Sequence, residues 1–406
     1  MRLLPLLLLS LSAFAALTPV WVEVGPDRRV LARVVIDDQA NCPSIAIGGA
    51  AAVPMRKRLP VPKHFHPACE FEIPQGAKRA TVDSQSLTLP VDNPSKVAVI
   101  GDTGCRIKGD RIQDCNDPVQ WPFATVAAAV ASKHPQLVIH VGDYLYREMP
   151  CPAAGDKQCG GSPSGDTWDA WTADFFTPAA KLLAAAPWAF SRGNHESCSR
   201  AWQGWFYYLD PRPFPESCPD YSEPYLATLG DFQLLMVDSS AAKDASPDPK
   251  QVTRYTALLK PFAATNAWLV EHHPIWGLKH DATDDGDVPL TAVMQQAYEA
   301  AGLANIGLVL AGHTHLFEIL SYSSGRPPQI VAGDAGTSLA STIQKDLKGE
   351  TVFGTQVESG TSRHEFGFTL LKRKKQRWDL SLKNPSGKTL AACGIQGKAV
   401  RCKDSR

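Results

Sequence analysis

Apolar and polar residues alternate in two different rhythms along this chain. From about Val20 to Asn93, short alternating runs such as "WVEVG", "VLARVVI", "CEFEI" and "KRATVDSQSLTL" are broken by Pro and Gly. Side chains of a strand point to opposite faces in turn. This rhythm therefore predicts a small all-β unit, an Ig- or fibronectin-like sandwich, over 20–94. "VDNPS" at 91–95 reads as a linker turn. From Lys96 the rhythm changes. "KVAVIGD" predicts a buried strand, "WPFATVAAAVASKHPQ" a helix and "LVIHVGD" a second strand, which makes a βαβ unit. "TWDAWTADFFTPAAKLLAAA" continues as helix, and further helices are expected near 250–260 and 289–301. Strands are expected in "WAFSRGNHE", "DFQLLMVDSS", "AWLVEHHP", "IGLVLAGHTH", "LFEILSY", "PQIVAGD", "FGFTLLKR" and "RWDLSL". The larger part of the chain, 95–406, thus reads as α/β.

The first residues, "MRLLPLLLLSLSAFAA", carry one Arg, an apolar run and an Ala-Phe-Ala step. Residues 1–15 read as a secretory signal peptide. The run is short for a membrane span, and no second long apolar run follows, so no membrane anchor is expected. Composition adds little: 44% hydrophobic and 20% charged residues describe a globular protein. With 41 basic and 41 acidic side chains the net charge is zero, so no nucleic-acid groove or anionic membrane is indicated. The basic run Lys372–Arg377 is expected to be a solvated hairpin, and "MRKR" at 55–58 an exposed basic patch at most.

Ten cysteines fit an exported protein. Pairing neighbours would join 42–69, 105–115, 151–159, 198–218 and 393–402. Ten cysteines allow about 945 connectivities, so the sequence leaves the pairing open. No C-x-x-C occurs to support a cysteine zinc site. Asn93 and Asn384 are each followed by Pro, and no glycosylation acceptor is found. That favours a bacterial periplasmic setting over a eukaryotic secreted one.

The chemistry lies at the strand ends. In order they read Gly101-Asp102, Gly142-Asp143, Gly193-Asn194-His195, Glu271-His272-His273 and Gly312-His313-Thr314-His315. Each follows an apolar run and supplies oxygen or nitrogen donors. Any one alone has an ordinary reading as a turn, a cap or a satisfied core histidine. Five together are hard to explain as packing, because such groups are expensive to bury without partners. Metal ions would be those partners. In open α/β sheets, ligands bind beyond the carboxyl ends of strands. A rival reading of Asp102-Thr103-Gly104 is the aspartic-protease turn. It needs a second D-[ST]-G, and the nearest candidate, Asp334-Ala335-Gly336, lacks it.

The series GDTG, GDYLY, GNHE, HHP and GHTH resembles the calcineurin-like metallophosphoesterases, from about Lys96 to about Gly336. Asp143-Tyr144-Leu145-Tyr146 is similar to the Gly-Asp-x-x-Tyr motif of their purple acid phosphatase branch. The fold this resemblance implies is a β-sandwich flanked by helices. The cofactors it implies are two metal ions. Asp102, Asp143, Tyr146 and His315 would hold ferric iron in the first site. Asp143 would bridge, and Asn194, His272 and His313 would complete a second site for Zn, Mn or Fe(II). The family places its ligand two residues before Pro, which selects His272 and leaves His273 as the alternative.

Two such metals clamp both sides of a phosphoryl transfer and lower the pKa of bound water. The implied reaction is hydrolysis of a small phosphate monoester by metal-activated hydroxide. His195 resembles the family's substrate-contacting histidine and is expected to protonate the leaving group. His280 resembles a second. Arg106 and Arg192 flank the motifs and could touch phosphate. The Cys- and Gly-rich segment from Arg147 to Gly165 reads as a disulfide-pinned loop over the site that shapes leaving-group choice. A phosphodiesterase or nucleotide pyrophosphatase on the same ligands remains the alternative, and a non-catalytic binding protein a remoter one. Oligomeric state is open.

Overall fold

The computed structural model describes residues 16–403 except 84, 110, 244–245, 280–287, 291 and 341–346. The expected leader, 1–15, lies outside the described residues.

An eleven-stranded and an eight-stranded sheet share one core. The first is built around the parallel strands Lys96–Ile100, Leu137–His140 and Trp188–Phe190. The second is built around the parallel strands Phe232–Met236, Trp268–Val270, Leu308–Ala311 and Gln329–Ala332. Val97, Val99, Leu137 and Ile139 of the first pack with Leu234, Val270, Leu310 and Ile330 of the second. Helix Phe123–Ala131 and the helical stretch from Trp168 to Ala185 cover the outer face of the first sheet. Helices Pro249–Leu259 and Ala292–Ala301 cover that of the second. The parallel strands are therefore buried on both faces, which is why they read as unbroken apolar runs. No described helix is long and apolar enough to cross a membrane.

The expected helix at 167–186 is not uniform. It runs Trp168–Trp171, then a π-helical turn Thr172–Phe176, then Thr177–Ala185. Such turns inside helices commonly serve a site, and Asp174, fully buried, sits in this one. Four strands of five residues or more were not expected: Tyr225–Leu229, Thr355–Arg363, Thr389–Gln396 and Ala399–Lys403. Each has at least one partly exposed face and mixes polar and small residues into its apolar positions, so its pattern is weak.

Between Trp21 and Ser86 the regular elements are strands and one 3-10 turn. These strands do not all close on themselves. Trp21–Val24 pairs in parallel with Trp188–Phe190, and Val30–Val35, Ala68–Glu72 and Arg56–Lys57 extend the same large sheet to its edge. A separate four-stranded sheet, with Ser44–Ile47 and Ala80–Val82 at its centre, adds Ile45 and Val82 to a small core with Val22, Val34 and Cys69. Residue 94 is thus no boundary of the main sheet. The strand at 21–24 takes the free edge beside Trp188, where an uncovered edge would otherwise pair promiscuously.

The "MRKR" reading also needs correction. Met55 and Arg58 are buried. Arg58 Nη1 is 2.9 Å from Glu70 Oε2, and its Nη2 donates to the Phe206 carbonyl oxygen at 2.9 Å. An arginine is a tolerable interior group only with such partners. The run at 372–377 does form a hairpin turn, between Phe368–Lys374 and Arg377–Lys383. All ten cysteines are paired, as 42–69, 105–115, 151–159, 198–218 and 393–402.

Candidate metal centre

The five motifs meet where the parallel strands of both sheets end. The chain has to turn sharply off each strand there. Asp102, Asp143 and His313 have φ of 54°, 59° and 70°, the left-handed region that side chains other than Gly enter at a cost. Gly142, at φ 103°, is required. A Cβ on it would lie 2.6 Å from His272 Nδ1.

Two groups of donors form around two oxygens. Tyr146 Oη lies 2.9 Å from both Asp102 Oδ1 and Asp143 Oδ2, its one proton serving either, and 3.0 Å from His315 Nε2. Asn194 Oδ1 lies 2.9 Å from His272 Nε2 and 3.0 Å from His313 Nδ1. Asp143 Oδ2 joins the groups, because it is also 3.1 Å from His272 Nε2. Asp102, Asp143, Tyr146 and His272 are fully buried, whereas Asn194, His313 and His315 are partly open to solvent. The cluster is a floor of buried donors with an accessible rim.

Two further carboxylates hold the turn carrying Asp143. Glu196 Oε1 accepts the N–H groups of Tyr144 and Leu145 at 2.8 and 3.1 Å. Its Oε2 accepts those of Asp143 and Gly193, both at 3.1 Å. Asp174 accepts N–H groups of Cys105, Tyr146 and Arg147 and the Nε–H of Arg147 at 2.6 Å. Sequence reasoning did not single out either one. Glu196 stood in the quoted G-N-H-E, where its place beside two donors was the available signal. Asp174 carried no local signal.

The donor set fits metal ions. Burial, and then the charge of Asp143, push the Asp102 carboxyl well above its usual range. Burial and the two carboxylates push the Tyr146 phenol up as well. Burial also acts on Asp143, but the His195 and His272 imidazoles outweigh it and hold that carboxylate well below its usual range. Asp102 and Tyr146 would bind a cation as anions, and a multivalent cation between them reverses the cost that burial sets on their charge. The imidazoles are already oriented. His272 Nδ1 donates to the Val141 carbonyl at 2.9 Å and His315 Nδ1 to that of Ser338 at 2.9 Å, which leaves each Nε2 lone pair facing the cluster. Burial and Arg106 keep His315 neutral, as a ligand must be. The nearest donors of Asp143, His272 and His313 all lie within 4.8 Å of one another.

The other expected residues divide. His195 lies against the cluster: its backbone N–H donates to Asp143 Oδ1 at 2.8 Å and its ring, tilted by 37°, has its centroid 3.7 Å from that of Tyr146. Its Nδ1 is 2.8 Å from Glu148 Oε1 and 3.1 Å from the Leu145 carbonyl oxygen. Glu148, which also pairs with Arg200, belongs to the disulfide-pinned segment closed by Cys151–Cys159. His273 turns its N–H and Nδ1 toward Ser239 Oγ, at 3.0 and 3.3 Å. His280 lies outside the described residues. Arg106 borders the cluster, with Nη2 3.3 Å from His315 Nε2. Arg192 does not. It is buried against Asp238 at 2.9 Å and the carbonyls of Glu196 and Pro219, so its role is structural and the phosphate contact is withdrawn.

Comparison with known proteins follows the same line. A sequence model of the calcineurin-like phosphoesterases matches residues 95–317, more than half of the chain. No curated protein matches the sequence significantly. Among solved structures, the purple acid phosphatase PPD1 from seeds of yellow lupin (Lupinus luteus) superposes with a TM-score of 0.58 at 12% identity, over 93% of this chain and 74% of that one. PhoD superposes with a TM-score of 0.58 at 12% identity, over 95% of this chain and 92% of that one. Both share its fold. The chain therefore belongs to the calcineurin-like phosphoesterases, hydrolases of phosphate esters that work with a dimetal centre.

Proposed function

We propose that this protein is an exported phosphomonoesterase of the purple acid phosphatase type. The observation that carries the reading is the contact of Tyr146 Oη with both Asp102 and Asp143 and with His315. A phenolate among carboxylates suits trivalent iron, and an amide oxygen with two imidazoles suits Zn, Mn or Fe(II). Asp102, Asp143, Tyr146 and His315 would hold the first ion, and Asp143, Asn194, His272 and His313 the second. When bound, the ions lower the pKa of coordinated water and offset charge on the phosphoryl oxygens.

The chain's own groups do the rest. Glu196 and Asp174 fix the Asp143–Arg147 turn before substrate arrives, so no reorganisation is needed during reaction. His195 keeps a proton on Nδ1 through Glu148 and Leu145, and presents Nε2 to the cluster side. Burial pushes this imidazole down to about 4, against the pull of Asp143. The negative charge of an entering ester raises it, so that Nε2 takes up a proton from solvent and passes that proton to the leaving oxygen, while Nδ1 keeps its own. Arg106 stands at the rim to meet a phosphate oxygen. All ten cysteines are in disulfides, which supports an oxidising compartment, periplasmic or extracellular.

The test is hydrolysis of p-nitrophenyl phosphate against bis-p-nitrophenyl phosphate from acid to alkaline pH, with a chelator control. Monoester preference that the chelator abolishes is the expected result. Preference for the diester would move the assignment to a phosphodiesterase on the same ligands.

A further inference from the structure

Charge on this protein is unevenly spread although its sum is zero. The strands Phe368–Lys374, Arg377–Lys383, Thr389–Gln396 and Ala399–Lys403 form a meander at one end of the eleven-stranded sheet. One face, with Leu371, Leu380, Leu382, Cys393 and Val400, closes the shared core. The other face is an open trough of about 840 Å³. Its floor is small and partly exposed, made by Ser381, Ala392 and Gly394. Nothing lies within 4 Å of where a Cβ on Gly394 would project, so the space above is free. Its walls carry Lys372, Lys374, Arg377, Lys383, Arg401 and Lys403.

Among the described residues that line the trough, one acid faces these six cations. Asp379 pairs with Lys374 at 3.1 Å and with Arg377 at 3.0 Å. Lys383 donates to Thr389 Oγ1 at 2.9 Å. Lys372, Arg401 and Lys403 make no ion pair among the described residues. Burial, with the charges of Lys133 and Lys372, pushes the Lys383 ammonium below the usual lysine value. Such a field calls for an anionic partner.

The chemistry of the face narrows that partner. Stacking of bases needs aromatic side chains on the binding surface. Neither ring of this meander lines the trough: Phe368 is fully buried in the core beneath the helices, and Trp378 packs against Trp268 at 4.8 Å and Phe232 at 6.1 Å. Entry into a bilayer needs exposed apolar side chains beside the cations. Among the described residues the exposed large hydrophobics, Leu17, Val53, Leu59, Val91 and Val119, all lie elsewhere. A concave cationic trough with a small, ring-free floor fits a thin chain of closely spaced charges. We propose that this face docks linear polyphosphate, independently of the metal centre.

The test is fluorescence anisotropy of end-labelled linear polyphosphate against the whole protein, with its metals, at low and physiological salt. The parent should bind with strong salt dependence, and bind a thymidine oligonucleotide of equal charge and vesicles of phosphatidylglycerol more weakly. A Lys372→Glu, Arg401→Glu, Lys403→Glu triple variant should bind polyphosphate at least tenfold more weakly at low salt. The slope of log affinity against log salt should fall by about 2, at about 0.7 per neutralised phosphate. Should the triple variant melt early, Lys372→Gln, Arg401→Gln, Lys403→Gln is read instead, with the loss expected in the same direction. Undiminished polyphosphate binding by a folded variant would overturn the proposal, as would a parent that prefers the oligonucleotide or the vesicles. None of these readings uses turnover, so they stand apart from the phosphatase assignment.

Discussion

Glu196→Gln isolates the support of the metal centre from its ligands. The carboxylate receives four backbone N–H groups, two on each oxygen. A glutamine of the same shape can place its one oxygen against only one of those pairs. Its NH2 group then faces the other two N–H donors, at either Tyr144 and Leu145 or Asp143 and Gly193. Burial and then the charge of Asp143 push Glu196 up to about 8, but with two N–H donors on each oxygen neither has room for a proton. Each lost bond therefore involves a charged acceptor and a buried donor, worth about 1.5–3 kcal/mol, and the variant should lose about 3–6 kcal/mol. That is a large share of the about 5–15 kcal/mol that holds a typical protein together. Because Asp143 sits in the loosened turn, metal content should fall with stability. The assay is chemical unfolding at fixed metal concentration, since bound metal stabilises by mass action, with elemental analysis of the purified variant. A variant within about 1 kcal/mol of the parent and carrying two metals would refute the claim that Glu196 holds this turn.

Other substitutions test other parts. Tyr146→Phe removes the phenol shared by Asp102 and Asp143; a visible absorption band present in the parent should vanish while the variant still folds, and an unchanged spectrum would remove the purple assignment. Burial pushes Asp166 up from 3.8 to about 6, so the native state holds its proton longer than the unfolded chain. Stability from this group is therefore full below pH 3.8 and falls as pH rises through that window, by about 3 kcal/mol at 1.36 kcal/mol per unit. Unfolding of Asp166→Asn at pH 4 and 7 should show a correspondingly smaller difference than the parent, and equal differences would contradict it. Arg58→Met leaves Glu70 short of a partner and the Phe206 carbonyl unpaired; a loss of about 3–5 kcal/mol in unfolding free energy is expected, and one below about 1 kcal/mol would show the pair to be idle.

The local content of the sequence determined much of this protein. Apolar runs ending in Gly and then a donor marked Asp102, Asp143, Asn194 and His313 as strand-end residues, because a buried strand and the turn leaving it are both written within about ten residues. Cysteine pairing followed neighbours, because short loops bring their ends together cheaply. Tertiary structure alone decided how these pieces meet. Asp102 and His313 are 211 residues apart, yet the backbone N–H of one bonds the carboxylate of the other at 3.0 Å. His272 and His273 carry the same side chain, and only the path of the strand beneath them puts one beside Asn194 and turns the other to Ser239. Asp174 reaches the site through a π-helical turn that helical periodicity does not announce. Trp21–Val24 reads like any strand of a small β unit, but its partner is Trp188, which supplied a free edge. The cationic face at the chain's end was hidden by a net charge of zero. Periodicity reports which face of an element is buried, whereas contacts across the fold depend on which edges and surfaces remain when every other element has been placed.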